Sequence, residues 1–493
     1  MQADEPELDV AIIGSGFSGI GMAIALLKQG WTQFAVLERA ASLGGTWRDN
    51  HYPGCACDIP SILYSYSFEQ SPRWSRMYPQ QPEILSYLHH CAEKYGVNPY
   101  FRFGHGVRAM RWDEAQAFWR IETDQGEITA RAVVSGMGAL SQPSIPAIPG
   151  QERFAGPAFH SAHWDHGADL AGKTLAVIGT GASSIQFVPE LAKIARRVLV
   201  FQRTPPWILP KADRPLGPRE KKIYAALPMV QHAHREALFW LNESRALGFI
   251  VDPKIMVRAQ RLALRFLERA VPDAALRAKL TPNYIMGCKR ILISNEYYPA
   301  MMAPHVELIT EGIAEIGRGE IVTQAGRRVA ADAIIYGTGF QTVEPLSCDV
   351  IGRFGRSLRA EWQARGAEAH LGLSSEGFPN LFFLMGPNTG LGHNSMVAMI
   401  EAQIGYTMQA LALMRAKGLA SLEVRADAQQ HSNARLQARI AKTVWQSGCR
   451  SWYVREDGRN ATLWPGFVFQ YQKRVRHFEA ADFQERRLPG SGS

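Results

Sequence analysis

Three observations predict an α/β fold for this 493-residue chain. An apolar strand, a glycine turn, a helix and a second strand follow one another near the N-terminus. The same unit recurs from Thr174 onward. A stretch from about 217 to 280, rich in Ala, Leu, Arg and Glu, lacks strand patterns and reads as a helical insertion.

The first unit starts at Leu8–Ile13 (LDVAII), a continuous apolar run suited to a buried parallel strand. It enters Gly14-Ser15-Gly16-Phe17-Ser18-Gly19, then a helical pattern that stops at Gly30, then Phe34 to Leu37 ending in Glu38. The second unit runs from Thr174–Ile178 into Gly179-Thr180-Gly181-Ala182-Ser183-Ser184, a helix, and Val198–Gln202 ending in Arg203. The pattern is that of two Rossmann-like dinucleotide-binding domains. Between them Leu140–Gly150 is proline-rich and reads as a stiff linker. DAIIYGTGF, after Ala331, predicts one more buried strand and a glycine turn. From Pro345 on, short apolar runs mix with a long helix near Ser395–Lys417, and the terminal GSGS reads as a flexible tail. The expected division is a first dinucleotide domain begun by 1–140, a linker 141–150, a second domain 151–335 holding the insertion, and completion of the first domain by 336–493.

Composition narrows the function classes. Hydrophobic residues at 46% and charged residues at 20% exclude wholesale disorder. The net charge of +9 comes without a run of five or six like charges, so a nucleic-acid partner is not expected; a basic surface or an electropositive cleft for an anionic cofactor is. No uninterrupted apolar run reaches the roughly 18 residues of a membrane helix, and the acidic, polar N-terminus resembles no targeting peptide. A membrane partner is therefore not expected. Six cysteines are too few for a disulfide scaffold, which predicts reduced thiols and a cytoplasmic setting. No histidine or further cysteine pair completes a metal site beside Cys55 and Cys57, so no metal is expected.

In each unit the first glycine permits the tight turn and the second lets a pyrophosphate approach the backbone. The third lets helix and strand pack closely, with the helix amides facing the phosphates. Gly14, Gly16 and Gly19 supply all three; in the second unit Gly179 and Gly181 are followed by Ser183 and by Ser184 in the third glycine's place. Glu38 and Arg203 stand at the same distance from the first glycine of their units. A carboxylate there accepts from both hydroxyls of an unmodified ribose, whereas a guanidinium neutralises a 2′-phosphate. The first site therefore fits FAD or NAD and the second NADP, with Thr204 and Lys289 as further phosphate contacts. FAD with NADPH makes a flavoprotein that takes a hydride from the nicotinamide. What it then reduces is left open among a disulfide reductase, a flavin monooxygenase and, without redox chemistry, a nucleotide sensor. A reductase needs a cysteine pair beside the flavin; Cys55 and Cys57, one residue apart, read as small buried hydrophobes.

The run Phe154-x-Gly156-xxx-His160-xxx-Trp164-Asp165 matches the Baeyer–Villiger monooxygenase fingerprint at every defined position. Gly45-Thr46-Trp47, Tyr52-Pro53-Gly54, Asp58, Cys288-Lys289-Arg290 and Gly337-Thr338-Gly339 match further segments, so the chain resembles that family over about residues 8–470. Ser184, and Gly337 where many relatives have Ala, are the departures. The resemblance implies an FAD-containing, NADPH-dependent enzyme that inserts one oxygen atom of O₂ beside a ketone carbonyl, through a peroxyflavin and a tetrahedral adduct, giving esters or lactones. Sulfoxidation is implied as a side activity; an N- or S-oxygenating flavin monooxygenase is the nearest alternative.

The resemblance also implies roles. Arg290 matches the active-site arginine, whose fixed charge and several donors suit a developing oxyanion. Asp58 matches the acid that pairs with it, and Lys289 the residue reaching the NADP end. Gly45, Thr46, Trp47 and Tyr64 match positions around the flavin. His160 lies at the domain junction in a conformational or a purely structural role. Met385–Ser395, which contains Asn388, resembles the loop over the flavin ring. Trp445, Trp452 and the aromatics from Trp464 to Phe469 are either pocket walls or core of the returning first domain. The ketone and the oligomeric state are not specified.

Overall fold

A computed structural model describes residues 5–252, 254–341, 346–449, 451, 453–455 and 457–487. Trp452 and the GSGS tail lie outside the described residues. Two sheets organise the chain, as the repeated units predict. The first has eight strands. Leu8–Ile13 lies between Phe34–Glu38 and Gly126–Ser135, parallel to both. Val107–Asp113, Phe118–Thr123 and Gly126–Ser135 form an antiparallel meander. Chain from far downstream joins it: Leu381–Phe383 pairs with the end of Gly126–Ser135, and Asp349–Ile351 with Val107–Asp113. The first sheet is thus built from both sides of the second.

The second sheet has five parallel strands in the order Val306–Ile309, Arg197–Phe201, Thr174–Ile178, Ala333–Tyr336, Ala158–His160. Its central strands are buried along their whole length, which their unbroken apolar sequences require. The linker joins in, since the Ser144 amide donates to the Gly339 carbonyl and the Thr338 hydroxyl to that of Ser144.

The expected insertion forms four helices, Pro218–Ala226, Pro228–Ile250, Lys254–Ala270 and Ala274–Leu280. Met396–Lys417 is the long helix expected downstream, capped by the Ser395 hydroxyl and ended by Gly418 in the left-handed region. One expectation is corrected. Cys288 and Cys449 form a disulfide with a Cα–Cα distance of 6.3 Å, inside the range such a bridge spans. The two lie 161 residues apart, and only the folded chain brings them together. Cys55, Cys57, Cys91 and Cys348 are free and buried, as small hydrophobes.

Candidate active site

The first glycine turn is closed by backbone on every side. Gly14 has φ +95°, and a Cβ there would meet the Gly136 carbonyl at 2.8 Å. A Cβ on Gly19 would overlap the Gly14 carbonyl, so helix and turn are as close as glycine allows. Gly45, at φ +51°, faces Gly16, with 3.0 Å between its would-be Cβ and the Gly16 Cα. The turns carrying Gly16 and Gly45-Thr46-Trp47 thus form two walls of one narrow slot. Gly16 caps the helix Phe17–Lys28 with no side chain in the way of the first-turn amides. Glu38 is buried at the end of its strand. It accepts from the Ser15 amide (3.1 Å), the Ser15 hydroxyl (2.6 Å) and the Ala40 amide (2.9 Å), and pairs with Arg48 at 3.0 Å.

The second turn repeats this with one change. Gly179 has φ +105°, and its would-be Cβ lies 2.5 Å from the Gly337 carbonyl. Ser184 is fully buried, and its hydroxyl lies within 3.5 Å of that same carbonyl. A Cβ on Gly337 would collide with the Ser184 hydroxyl. The two departures from the family pattern are therefore one compensated change: a serine fills the space that an alanine at 337 would need. Arg203 lies exposed beyond the strand end and Thr204 is half-buried. Lys289 stacks over the Tyr284 ring at 4.8 Å, and its ammonium is pushed down by burial and by the charge of Arg203. Two cations that disfavour each other make a site for an anion.

Asp58 and Arg290 meet from 232 residues apart in a hydrogen-bonded ion pair between Arg290 Nη2 and Asp58 Oδ2. The Arg290 side chain keeps 36% of its surface and that of Asp58 31%, so the pair faces a cleft rather than a dry core. The Asp58 charge holds the guanidinium firmly protonated, and outweighs the opposing effect of burial. Tyr453, in the aromatic stretch near the C-terminus, is hydrogen-bonded to Arg290. Burial pushes its phenol up to about 12 while the Arg290 charge pulls the other way, leaving it neutral at physiological pH. Tyr64 feels the charges of Asp58 and Arg290, accepts from the Trp47 indole N–H at 3.1 Å, and packs edge-on against Trp47 and Phe17. The first glycine slot, Trp47, Tyr64 and the ion pair are thereby contiguous. Lys211, lowered by burial, is a further cation within range of Asp58.

The run Phe154–Asp165 forms the edge strand Ala158–His160 and a tight turn at Ser161–His163. Phe154 packs on the second sheet's core, and a Cβ on Gly156 would overlap the Asp332 carbonyl. Trp164 packs on Phe159 and Phe187 and lies 6.5 Å from the Tyr52 ring, while Asp165 accepts from the Gly167 amide. Gln186, on the second unit's helix, accepts from the Tyr52 hydroxyl at 2.8 Å and donates to the Ala56 carbonyl at 2.9 Å. The fingerprint is thus the joint between the two units. His160 is buried, its Nδ1 accepts from the Ala162 amide, and burial lowers it to about 4. It is neutral at pH 7.

Asn388, in the left-handed region at φ +56°, donates its side-chain amide to the carbonyls of Asn460 and Leu463. It ties its loop to the C-terminal segment. The same loop is held from the insertion by buried Glu243, which accepts from Asn394 at 2.8 Å and lies 3.2 Å from His393. Trp445 is buried in an apolar cluster with Trp207, Phe249, Met286 and Tyr453, beside Arg290; Trp464 is core, and Phe469 is partly exposed. Sequence reasoning missed Tyr453, Glu243 and Lys211. None lies in a quoted motif, and each acquires its meaning from a contact across the chain.

Residues 11–219 match the pyridine nucleotide-disulphide oxidoreductase family. A Baeyer-Villiger monooxygenase of Pseudomonas aeruginosa is 49% identical over 97% of this chain and 92% of its own. A second, of Streptomyces coelicolor, is 45% identical over 96% and 92%. Among solved structures, an oxidized steroid monooxygenase bound to NADP superposes with a TM-score of 0.87 at 30% identity, over 97% of this chain and 99% of the other. A cyclohexanone monooxygenase of Rhodococcus bound to NADP⁺ gives 0.87 at 25% identity, over 98% and 100%.

Proposed function

The chain belongs to the Baeyer–Villiger monooxygenases, and from that premise we propose which of its residues carry the reaction. The enzyme is an FAD- and NADPH-dependent flavoprotein that uses O₂ to insert an oxygen atom beside the carbonyl of a small-molecule ketone. FAD, when bound, supplies hydride acceptance from NADPH and transfer of one oxygen atom from O₂. The narrow slot of Gly14, Gly16, Gly19, Gly45 and Thr46 fits a dinucleotide, since Gly16 and Gly45 face each other across it without side chains, and a Cβ at Gly45 would come within 3.0 Å of the Gly16 Cα. Glu38 suits the hydroxyls of its ribose, and Trp47 and Tyr64 flank its far end. Gly179, Gly181 and Ser183 would hold the pyrophosphate of NADPH, and Arg203, Thr204 and Lys289 its 2′-phosphate. In this reading residues 1–140 and 336–493 bind FAD, 151–335 bind NADPH, and 141–150 link them; Asn388 shapes the loop over the ring through backbone ties. A cytoplasmic setting goes with the use of NADPH.

Arg290 carries the chemistry of the chain itself. Its guanidinium would hold the negative charge that develops on the substrate oxygen, in a cleft where a preset cation needs no reorganisation. Asp58 fixes its direction from one side and the Tyr453 hydroxyl from another, so the remaining N–H groups have few orientations. The observation that supports this best is the Asp58–Arg290 pair beside the first glycine slot. Arg290→Ala should bind FAD and oxidise NADPH while forming ester at least a hundredfold more slowly, with hydrogen peroxide as the product of the lost coupling. Ester formation at the wild-type rate would remove Arg290 from the mechanism.

A further inference from the structure

The helix Pro228–Ile250 buries several polar side chains and leaves large apolar ones exposed. Its inward face mixes buried Gln231, Arg235, Asn242 and Glu243 with buried Phe239, Ala246 and Phe249. Arg235 donates to the carbonyls of Ile62 and Leu63 and pairs loosely with Glu401, Gln231 donates to that of Ser71, and Glu243 holds the loop at Asn394. Polar bonds therefore fix this face to the rest of the molecule. The opposite face, at helical spacing, carries Met229, Ala233, Ala237, Trp240 and Leu247 with Glu236 and Ser244 among them, and Val251 follows at the helix end. Met229 is 83% exposed, Trp240 53% and Val251 61%. More than half of the exposed large apolar side chains among the described residues fall between Ile223 and Leu264, under a tenth of the chain. Such a concentration marks a surface that meets something apolar.

The neighbouring helix Lys254–Ala270 says what kind of surface that is. Met256, Ala263 and Leu267 are buried. Lys254, Arg258, Arg261, Arg265 and Arg269 recur at three- and four-residue spacing along the outward face, all exposed, and Glu268 is the one acid on the helix. Exposed Ile255 and Leu262 flank this row on one side, Val257 and Leu264 on the other. From Pro218 to Ala270 ten Lys and Arg stand against five Asp and Glu, which is more than half of the chain's net +9. A second copy of the chain would set two rows of cations against each other. An anionic lipid surface instead offers hydrocarbon to the apolar face and phosphate to the cations.

We propose that the helical insertion docks this enzyme onto an anionic bilayer, with Pro228–Ile250 and Lys254–Ala270 lying on the surface. No helix among the described residues is long and apolar enough to cross a membrane, so the attachment is peripheral. The expectation of no membrane partner rests on the absence of a spanning run, and a surface-lying helix leaves none. The inference is independent of the reaction, and it would set the enzyme where apolar ketones partition.

Holoenzyme sedimented with vesicles of phosphatidylglycerol and phosphatidylcholine, or of phosphatidylcholine alone, tests it. Binding to the anionic vesicles should be at least tenfold stronger and should fall as salt rises. The double variant Trp240→Glu, Leu241→Glu, at exposed positions, should lose at least tenfold of that binding with its melting temperature and NADPH oxidation in solution unchanged. Arg258→Gln, Arg261→Gln, Arg265→Gln together should abolish the preference for phosphatidylglycerol. The proposal is overturned by absence of binding to anionic vesicles, by equal binding to both compositions at all salt concentrations, or by a wild-type dimer in sedimentation velocity that the Trp240, Leu241 variant splits.

Discussion

The two glycine turns share one backbone scheme, and they differ at two places. One is the end of the second strand: buried Glu38, surrounded by four donors, in the first unit, and exposed Arg203 beside a suppressed Lys289 in the second. The other is the third glycine, where Gly19 touches the Gly14 carbonyl but Ser184 fills the space left by Gly337. On the proposed reading the strand-end charge selects the ligand, while the third position sets how closely helix and strand pack.

The largest test of that difference is an exchange. Gly19→Ser puts a side chain into the Gly14 carbonyl and should cost about 3 kcal/mol or more. It should yield a colourless protein with little bound flavin and a lowered melting temperature. Ser184→Gly faces no clash and should stay within about 1 kcal/mol of wild type, the usual burden of a helical glycine. Equal damage from both, read as flavin per chain and thermal midpoint, would erase the distinction drawn between the turns.

The joint between the units offers a pH test. Burial lowers His160 to about 4, whereas in the unfolded chain it titrates near 6.5. The unfolded state thus takes up a proton first as the pH falls. The stability tied to His160 is fully present above about pH 6.5 and declines toward pH 4, by up to about 3 kcal/mol. Unfolding free energies at about pH 7.5 and about pH 5 should converge in His160→Asn relative to wild type. An identical pH dependence in the variant would mean that His160 titrates normally in the fold.

A smaller effect is expected at the strand end. Arg203→Ala removes one charge-assisted phosphate contact, about 1.5–3 kcal/mol, or roughly tenfold to a hundredfold in KM for NADPH. KM for NADH should hardly move, because that cofactor lacks the phosphate. A parallel rise for both would make Arg203 a structural residue.

Much of this architecture was legible beforehand because its signals are local. A strand, three small turn residues and a helix sit within one short run, and Glu38 or Arg203 follows at fixed distance. The insertion was legible from its lack of strand patterns and its Ala, Leu, Arg and Glu content, although its faces were not: only burial shows that Gln231, Arg235, Asn242 and Glu243 point inward. The antiparallel meander of Val107–Ser135 had no distinctive spacing. Tyr453, Glu243 and the Cys288–Cys449 bridge depend on contacts between distant segments. Asp58 and Arg290 were found through resemblance, since a lone aspartate before Ile59-Pro60 reads as an ordinary turn residue.

The central claim is that Asp58 acts only through Arg290. Ester formed per NADPH oxidised should be measured in Asp58→Ala, Arg290→Ala and the double variant, with residual product quantified by single-turnover assays. Asp58→Ala alone should lower coupling strongly, Asp58→Asn less so, and the double variant should be scarcely worse than Arg290→Ala, because side chains that work as a unit are not additive. Losses that multiply in the double variant would contradict the account and give Asp58 a role of its own.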